Sequence, residues 1–188
     1  HGDTINGDKI EVIQRDLPGP NPLQARALAQ ELVVKQGVQY LAGIVCSPNA
    51  AAVAPLANQA HVPMIAMAPY EYDPAKQPYT FNDAQPLPLM VAEVFKYMQQ
   101  HGVKTIGFIG FSDGWGDQVY AGSQKAAAAD GMQILANERY ARTDTSVEAQ
   151  ALKLISVHPQ AIMMGNSATP AALPVVALRH LGYKGGIY

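Results

Sequence analysis

At 188 residues and 48% hydrophobic side chains, the chain has the length of one ordinary domain or two small ones and the composition of a soluble globular protein. Its 13 Lys plus Arg against 15 Asp plus Glu give a formal net charge of -2 with no basic cluster, which argues against nucleic-acid binding and leaves a small molecule as the default partner. No apolar run approaches the roughly 18 residues that span a bilayer, the opening HGDTINGDKI has neither the charged nor the apolar region of a secretory signal, and the single cysteine, Cys46, reads as a small hydrophobe ending a strand.

In chain order, Lys9 to Asp16 alternates Ile10 and Val12 with charged neighbours, which predicts a strand. The breaker-rich LPGPNP leads to Asn21-Pro22, an N-cap followed by an N1 proline, and LQARALAQELVVKQ continues as an amphipathic helix over 23–36 closed by Gly37. Tyr40 to Val45 reads as a buried strand, Asn49 to Ala60 as a helix and Val62 to Met67 as a strand. The loop Ala68 to Gln85, rich in Pro and Tyr, marks a junction, so lobe one is expected over 1–85 and lobe two over 86–188. Lobe two then alternates: helix 87–101, strand 105–109, helix 115–130, strand 133–140, helix 146–157, strand 161–164, helix 169–181, and a strand beginning at Gly186. Alternation of this kind, with apolar strands such as AIMMG, predicts an α/β protein of two doubly wound lobes, each a parallel sheet covered by helices on both faces. A cleft between the lobes is the expected consequence.

The turn Cys46-Ser-Pro-Asn49 places the Ser47 hydroxyl, the Asn49 amide and the first N–H groups of a helix at a strand's carboxyl end, where open α/β sheets bind ligands. Both side chains could equally cap the helix, and the two roles are compatible. Tyr70 and Tyr72 follow the next strand end, and Tyr70 is either a wall of the site or surface decoration. GFSDG at 110–114 matches G-x-S-x-G, but the later strand ends offer Tyr140-Ala-Arg and Gly165-Asn-Ser, and neither His158 nor His180 is placed to serve Ser112 as a base. A serine hydrolase is therefore the lesser reading. In the other, GFSDGWGD is a ligand loop: Asp113 or Ser112 caps the next helix and Trp115 supplies a flat wall, unless it is only a helix-start hydrophobe. Histidines occur singly, and neither a dinucleotide fingerprint nor a Walker loop is present, so no metal and no cofactor is expected.

The stretch QELVVKQGVQYLAGIVCSPNAAAVAPLANQAHVPMIAMAP, with VKTIGFIGFSDGWGDQVYAGSQKAAAADG and AIMMGNSATPAALPVVALRHLGYKG, resembles the periplasmic solute-binding proteins of the branched-chain amino acid (Leu/Ile/Val-binding) type, receptors of ABC importers with the type I binding-protein fold. The resemblance implies a periplasmic receptor, without enzymatic activity, that clamps a small carboxylate between two lobes and presents it to an ABC permease in the membrane. It implies that Ser47 binds the carboxylate, that Ala68 offers a backbone carbonyl, that Tyr70 stands where a ligand-holding hydroxyl residue is common, that Trp115 closes over the ligand, and that Asn166 and Ser167 face the cleft. Tyr70 in place of a small Thr or Ser favours a carboxylate with a flat or apolar body, as in the aromatic-acid receptors of that family. The same fold also serves as the sensory domain of transcription regulators, the remaining alternative. Family members place a strand, a Gly-rich turn and a helix before the segment equivalent to GDTINGDKIEVIQRD, and continue beyond GYKGGIY. This implies a fragment of a longer receptor, in which 9–16 cannot reach 40–45 without the first strand.

Overall fold

The structure, a computed structural model, describes residues 4–188. These divide into two compact units: Thr4 to Ala68 with Tyr72–Asn82, and Pro69–Glu71 with Asp83–Tyr188.

The first unit opens on a small antiparallel pair, β1 (Thr4–Ile5) and β2 (Asp8–Lys9). The strand expected over 9–16 does not form. Ile10 and Val12 are exposed, no neighbouring strand among the described residues offers the ladder that an alternating segment needs, and Arg15 instead pairs with Glu31 at 2.7 Å. Helix α1 (Pro22–Val34) starts as its sequence predicts: the Asn21 side chain accepts from Gln24 N at 3.2 Å, and Pro22 takes the position whose N–H would have no partner. Strand β3 (Leu41–Ile44), helix α2 (Ser47–Ala60), and strands β4 (Met64–Ala66) and β5 (Thr80–Asn82) follow, in a parallel sheet ordered β3-β4-β5.

Two expectations change here. Among the described residues β3 is an edge strand, with only Leu41 fully buried, because β4 flanks it on one side alone. β5 lies inside the segment taken from sequence as a loop. Asn58 of α2 holds it: its Nδ2 donates to Thr80 Oγ1 at 2.6 Å and its Oδ1 accepts from Tyr79 N at 2.9 Å. Met64, Ala66 and Thr80 are buried, whereas Ile65 and Phe81, on the opposite face of the strands, are 42% and 54% exposed.

The second unit contains helix α3 (Leu87–Gln100), strand β6 (Thr105–Phe111), helix α4 (Gly114–Ala129), strand β7 (Gln133–Tyr140), helix α5 (Glu148–Ser156), strand β8 (Ala161–Gly165), a 3-10 turn at Thr169–Ala171, helix α6 (Ala172–His180) and strand β9 (Gly186–Ile187). All pairings are parallel, in the order β7-β6-β8-β9. β6 and β8 are central and buried on both faces, which is why they read as continuous apolar runs.

Their alternation feeds two cores. Ile106, Phe108, Ala161 and Met163 pack with α3 and α4 residues such as Val91, Phe95, Met98 and Val119. Ile109, Phe111 and Ile162 pack with Leu154 of α5, Leu178 of α6, Tyr140 and Tyr183. The α3 residues Leu87, Val91, Phe95 and Met98 recur at helical spacing on one face, and burying a side chain of that size stabilises the fold by about 1.5–3 kcal/mol. The second unit is thus a sheet wound on both faces, so its carboxyl strand ends stand at one edge.

Tyr183 anchors the loop before β9: it is 8% exposed and its hydroxyl donates to Pro159 O at 3.1 Å. Burial pushes its phenol up to about 12, against the opposing charge of Arg179. A folded-state value above the unfolded one means that this contribution is intact below about pH 10 and is lost as pH rises through about 12. Alkaline unfolding followed by circular dichroism should show stability falling across that window, with a shallower slope in Tyr183→Phe.

Candidate functional site

In the first unit the informative junction joins β3 to α2. Strand and helix are separated by Val45 and Cys46 alone, and α2 begins at Ser47, two residues before the expected start. Ser47 is therefore inside the first turn rather than at the cap. The N-cap residue is Cys46, in an extended conformation and without a side-chain cap, and Pro48 has no N–H to offer. The first helical bond is Ala50 N to Cys46 O at 2.9 Å.

Ser47 is 4% exposed, and its Oγ has no hydrogen-bond partner among the described residues. A buried hydroxyl left in that state costs roughly 1–3 kcal/mol. Asn49 is also buried, and its amide is bonded at both ends: Oδ1 accepts from Asn21 N at 2.9 Å and Nδ2 donates to Gly19 O at 3.1 Å. It fastens the loop before α1 to α2 and makes no cap bond to the helix, while its second Nδ2 hydrogen is not used by either of these bonds. Met67 N donates to Ile44 O at 3.0 Å, which brings the end of β4, and Ala68 just beyond it, beside the end of β3. Ala68 is buried at 4% exposure.

In the second unit the corresponding junction, β6 to α4, is built differently. Asp113 is the N-cap: its Oδ1 accepts from Trp115 N at 3.0 Å and Gly116 N at 3.2 Å, while its Oδ2 accepts from Arg142 Nε at 2.6 Å. The Arg142 guanidinium lies 4.0 Å from the centre of the Phe111 ring. Arg139, on β7, donates to Phe111 O at 2.8 Å and stands 3.2 Å from Asp117. Gly116 has no room for a side chain, since a Cβ there would overlap Phe111 O. Trp115 is half-buried against both cores, and its indole N–H is buried with no acceptor among the described residues. Tyr70 also belongs to this unit and is 6% exposed.

Tyr140 at the end of β7 is 2% exposed and spans to the end of β8: its hydroxyl donates to Pro170 O at 3.1 Å and accepts from Asn166 Nδ2 at 3.0 Å. Burial raises its phenol above the ordinary tyrosine value, while the Asn166 hydrogen bond and the Arg142 charge pull the other way. Ser167 is half-buried, and the next residue, Ala168, sits at φ 58 and ψ -161, a conformation that costs an L-residue about 1–3 kcal/mol. The strand ends of this unit thus bring Trp115, Asn166 and Ser167 to one edge. Arg142 and Tyr140, which position the first two, were not singled out as site residues; an Arg and a buried aromatic just where a strand ends were the available signal. The Ser112 hydroxyl donates to the Tyr140 main-chain oxygen at 3.2 Å, which ties it to β7.

These features define a class: α/β units whose strand ends present an open helix terminus, a buried free hydroxyl and a fixed indole, the furniture of a small-molecule binding module. The chain belongs to the periplasmic binding protein family, whose model matches residues 1–188. It is similar to the Leu/Ile/Val-binding protein homolog 6 of Brucella abortus (strain 2308), 54% identical over 67 residues, which are 36% of this chain and 17% of that one. Among solved structures, Rp1789 of Rhodopseudomonas palustris (strain CGA009) superposes with a TM-score of 0.93 at 39% identity over 100% of this chain and 52% of that chain. A solute-binding protein of an ABC transporter from R. palustris, in complex with 4-hydroxybenzoate, superposes with a TM-score of 0.87 at 30% identity over 97% of this chain and 50% of that one. The chain spans about half the length of these solved relatives. Its folds match theirs as type I binding-protein structure.

Asp113→Ala strips α4 of its cap and leaves Arg142 without its carboxylate. Urea unfolding should show a loss of about 1–2 kcal/mol at an unchanged m-value, with Asp113→Asn losing less because its amide oxygen can still accept from Trp115 N.

Proposed function

We propose that this chain is part of an extracytoplasmic receptor of an ABC importer that clamps a small aromatic carboxylate between two lobes and passes it to a membrane permease. The observation that carries the reading is the contrast between two equivalent junctions. α4 satisfies its first N–H groups with its own Asp113 carboxylate, whereas α2 brings no side chain to its first turn and holds the Ser47 hydroxyl buried and unpartnered beside it. A ligand carboxylate is the group that completes α2 as Asp113 completes α4.

Family membership supports the receptor role, the extracytoplasmic location and the permease as partner. The 4-hydroxybenzoate complex of the 30%-identical relative supports an aromatic acid, and Tyr70 and Trp115 supply flat apolar surface for its ring. Ala68 contributes its carbonyl, and Asn166 and Ser167 contribute polar contacts from the second unit. Among the described residues no helix is long and apolar enough to cross a membrane, and the transport step belongs to the partner. No bond is made or broken: affinity comes from groups held in place before the ligand arrives.

A thermal-shift screen of the full-length protein against aromatic acids, aliphatic amino acids and the matching amides tests the reading. Aromatic acids should stabilise, by about 2.7 kcal/mol at a hundredfold excess over Kd, and amides should not. A response to branched-chain amino acids alone would overturn it. Ser47→Ala should weaken carboxylate binding about tenfold or more without lowering the unliganded melting temperature, because it removes an unsatisfied buried hydroxyl.

A further inference from the structure

Tyr140 has one hydroxyl proton and two polar neighbours, Pro170 O at 3.1 Å and the Asn166 amide at 3.0 Å. A main-chain carbonyl can only accept, so the proton goes to Pro170. The phenol oxygen must then accept, and only the NH2 end of Asn166 can supply that hydrogen. The reverse amide orientation would set two acceptors against a single proton. Burial keeps the phenol protonated well beyond neutral pH, so this ordering of donors holds throughout the physiological range. Asn166 is consequently pinned with one N–H spent on Tyr140 and its Oδ1 turned away from that bond. The Oδ1 receives no hydrogen bond among the described residues, and Asn166 is half-buried at the carboxyl end of β8, one of the two central strands. Open α/β sheets take their ligands at that edge.

We propose that Asn166, oriented by Tyr140, is the specificity residue that selects ring-hydroxylated aromatic acids, its Oδ1 accepting a hydrogen bond from the ligand's phenolic hydroxyl. The inference rests on the aromatic-carboxylate reading and deepens it. An acceptor fixed in this way repels a carboxylate and gains nothing from an unsubstituted ring edge. A phenolic hydroxyl satisfies it, and a ligand without a donor leaves it desolvated and unpaired. Tyr140 is a positioning residue here, since it acts only by denying the amide its other orientation.

Calorimetric titration of the full-length protein with 3- and 4-hydroxybenzoate, and with the 3- and 4-fluoro analogues that lack the donor, separates these possibilities. The wild type should bind at least one hydroxy acid about tenfold more tightly than its fluoro counterpart. Asn166→Leu should bring that ratio to within about twofold, the hydroxy acid losing affinity more than the fluoro acid. Tyr140→Phe, which keeps the ring in the core and frees the amide to turn, should lower the ratio to about threefold; this variant carries the test should Asn166→Leu fail to fold. Equal binding of hydroxy and fluoro acids by the wild type, or a preference undiminished from the wild-type ratio in Tyr140→Phe, would overturn the role of Asn166 and leave the aromatic-carboxylate reading standing. Failure of the wild type to bind any of the four acids would overturn both.

Discussion

A helix that begins hard against the end of a parallel strand has N–H groups pointing out of its first turn, and something must satisfy them. In this chain the two junctions answer that requirement differently. Asp113 bends back over α4 and accepts from Trp115 and Gly116. At α2 the equivalent place is held by Cys46, which offers no cap, while Pro48 removes one donor and Asn49 faces the 19–21 loop instead. Among the described residues no side chain caps this turn, and the Ser47 hydroxyl is buried there without a partner. That asymmetry is the basis for proposing the α2 junction, and not the α4 one, as the carboxylate site.

The second unit shows what is needed to hold an aromatic surface still. Trp115 sits in the first turn of α4, and its backbone is fixed from two directions. The Asp113 carboxylate binds its N–H and is itself bound by Arg142, whose guanidinium stacks on Phe111. Arg139 holds the carbonyl of Phe111 from the other side, and Gly116 closes against that same carbonyl so tightly that no larger residue fits. Strand β7 thereby stiffens the turn that follows β6. If Trp115 is the ligand wall proposed above, a backbone held in this way lowers the ordering cost of binding.

Much of this was legible before any coordinates. Asn21-Pro22 announced the start of α1, and the helix expected over 87–101 and the strand expected over 105–109 both form, the strand running on to Phe111. What escaped depended on partners remote in sequence. The alternation at 9–16 is a strand pattern without a strand to pair with. β5 is three residues long and follows a Pro-rich segment, and it becomes a strand because Asn58 and β4 hold it. Ser-Pro-Asn carries the same letters whether it caps a helix or lies within its first turn. Only the bonds from Asn49 to residues 19 and 21 decide between them, and these are invisible locally. Tyr140 looked like the end of a strand, and its role appears only with Asn166 and Pro170 beside it.

The central claim is that the first turn of α2 awaits a carboxylate. The most direct measurement is a crystal structure of the full-length protein bound to a benzoate-type acid. The account predicts the ligand carboxylate at the N-terminus of α2, with an oxygen about 2.7 Å from Ser47 Oγ and main-chain N–H groups of that turn donating to it. A carboxylate bound elsewhere, with Ser47 still lacking a partner, would contradict it.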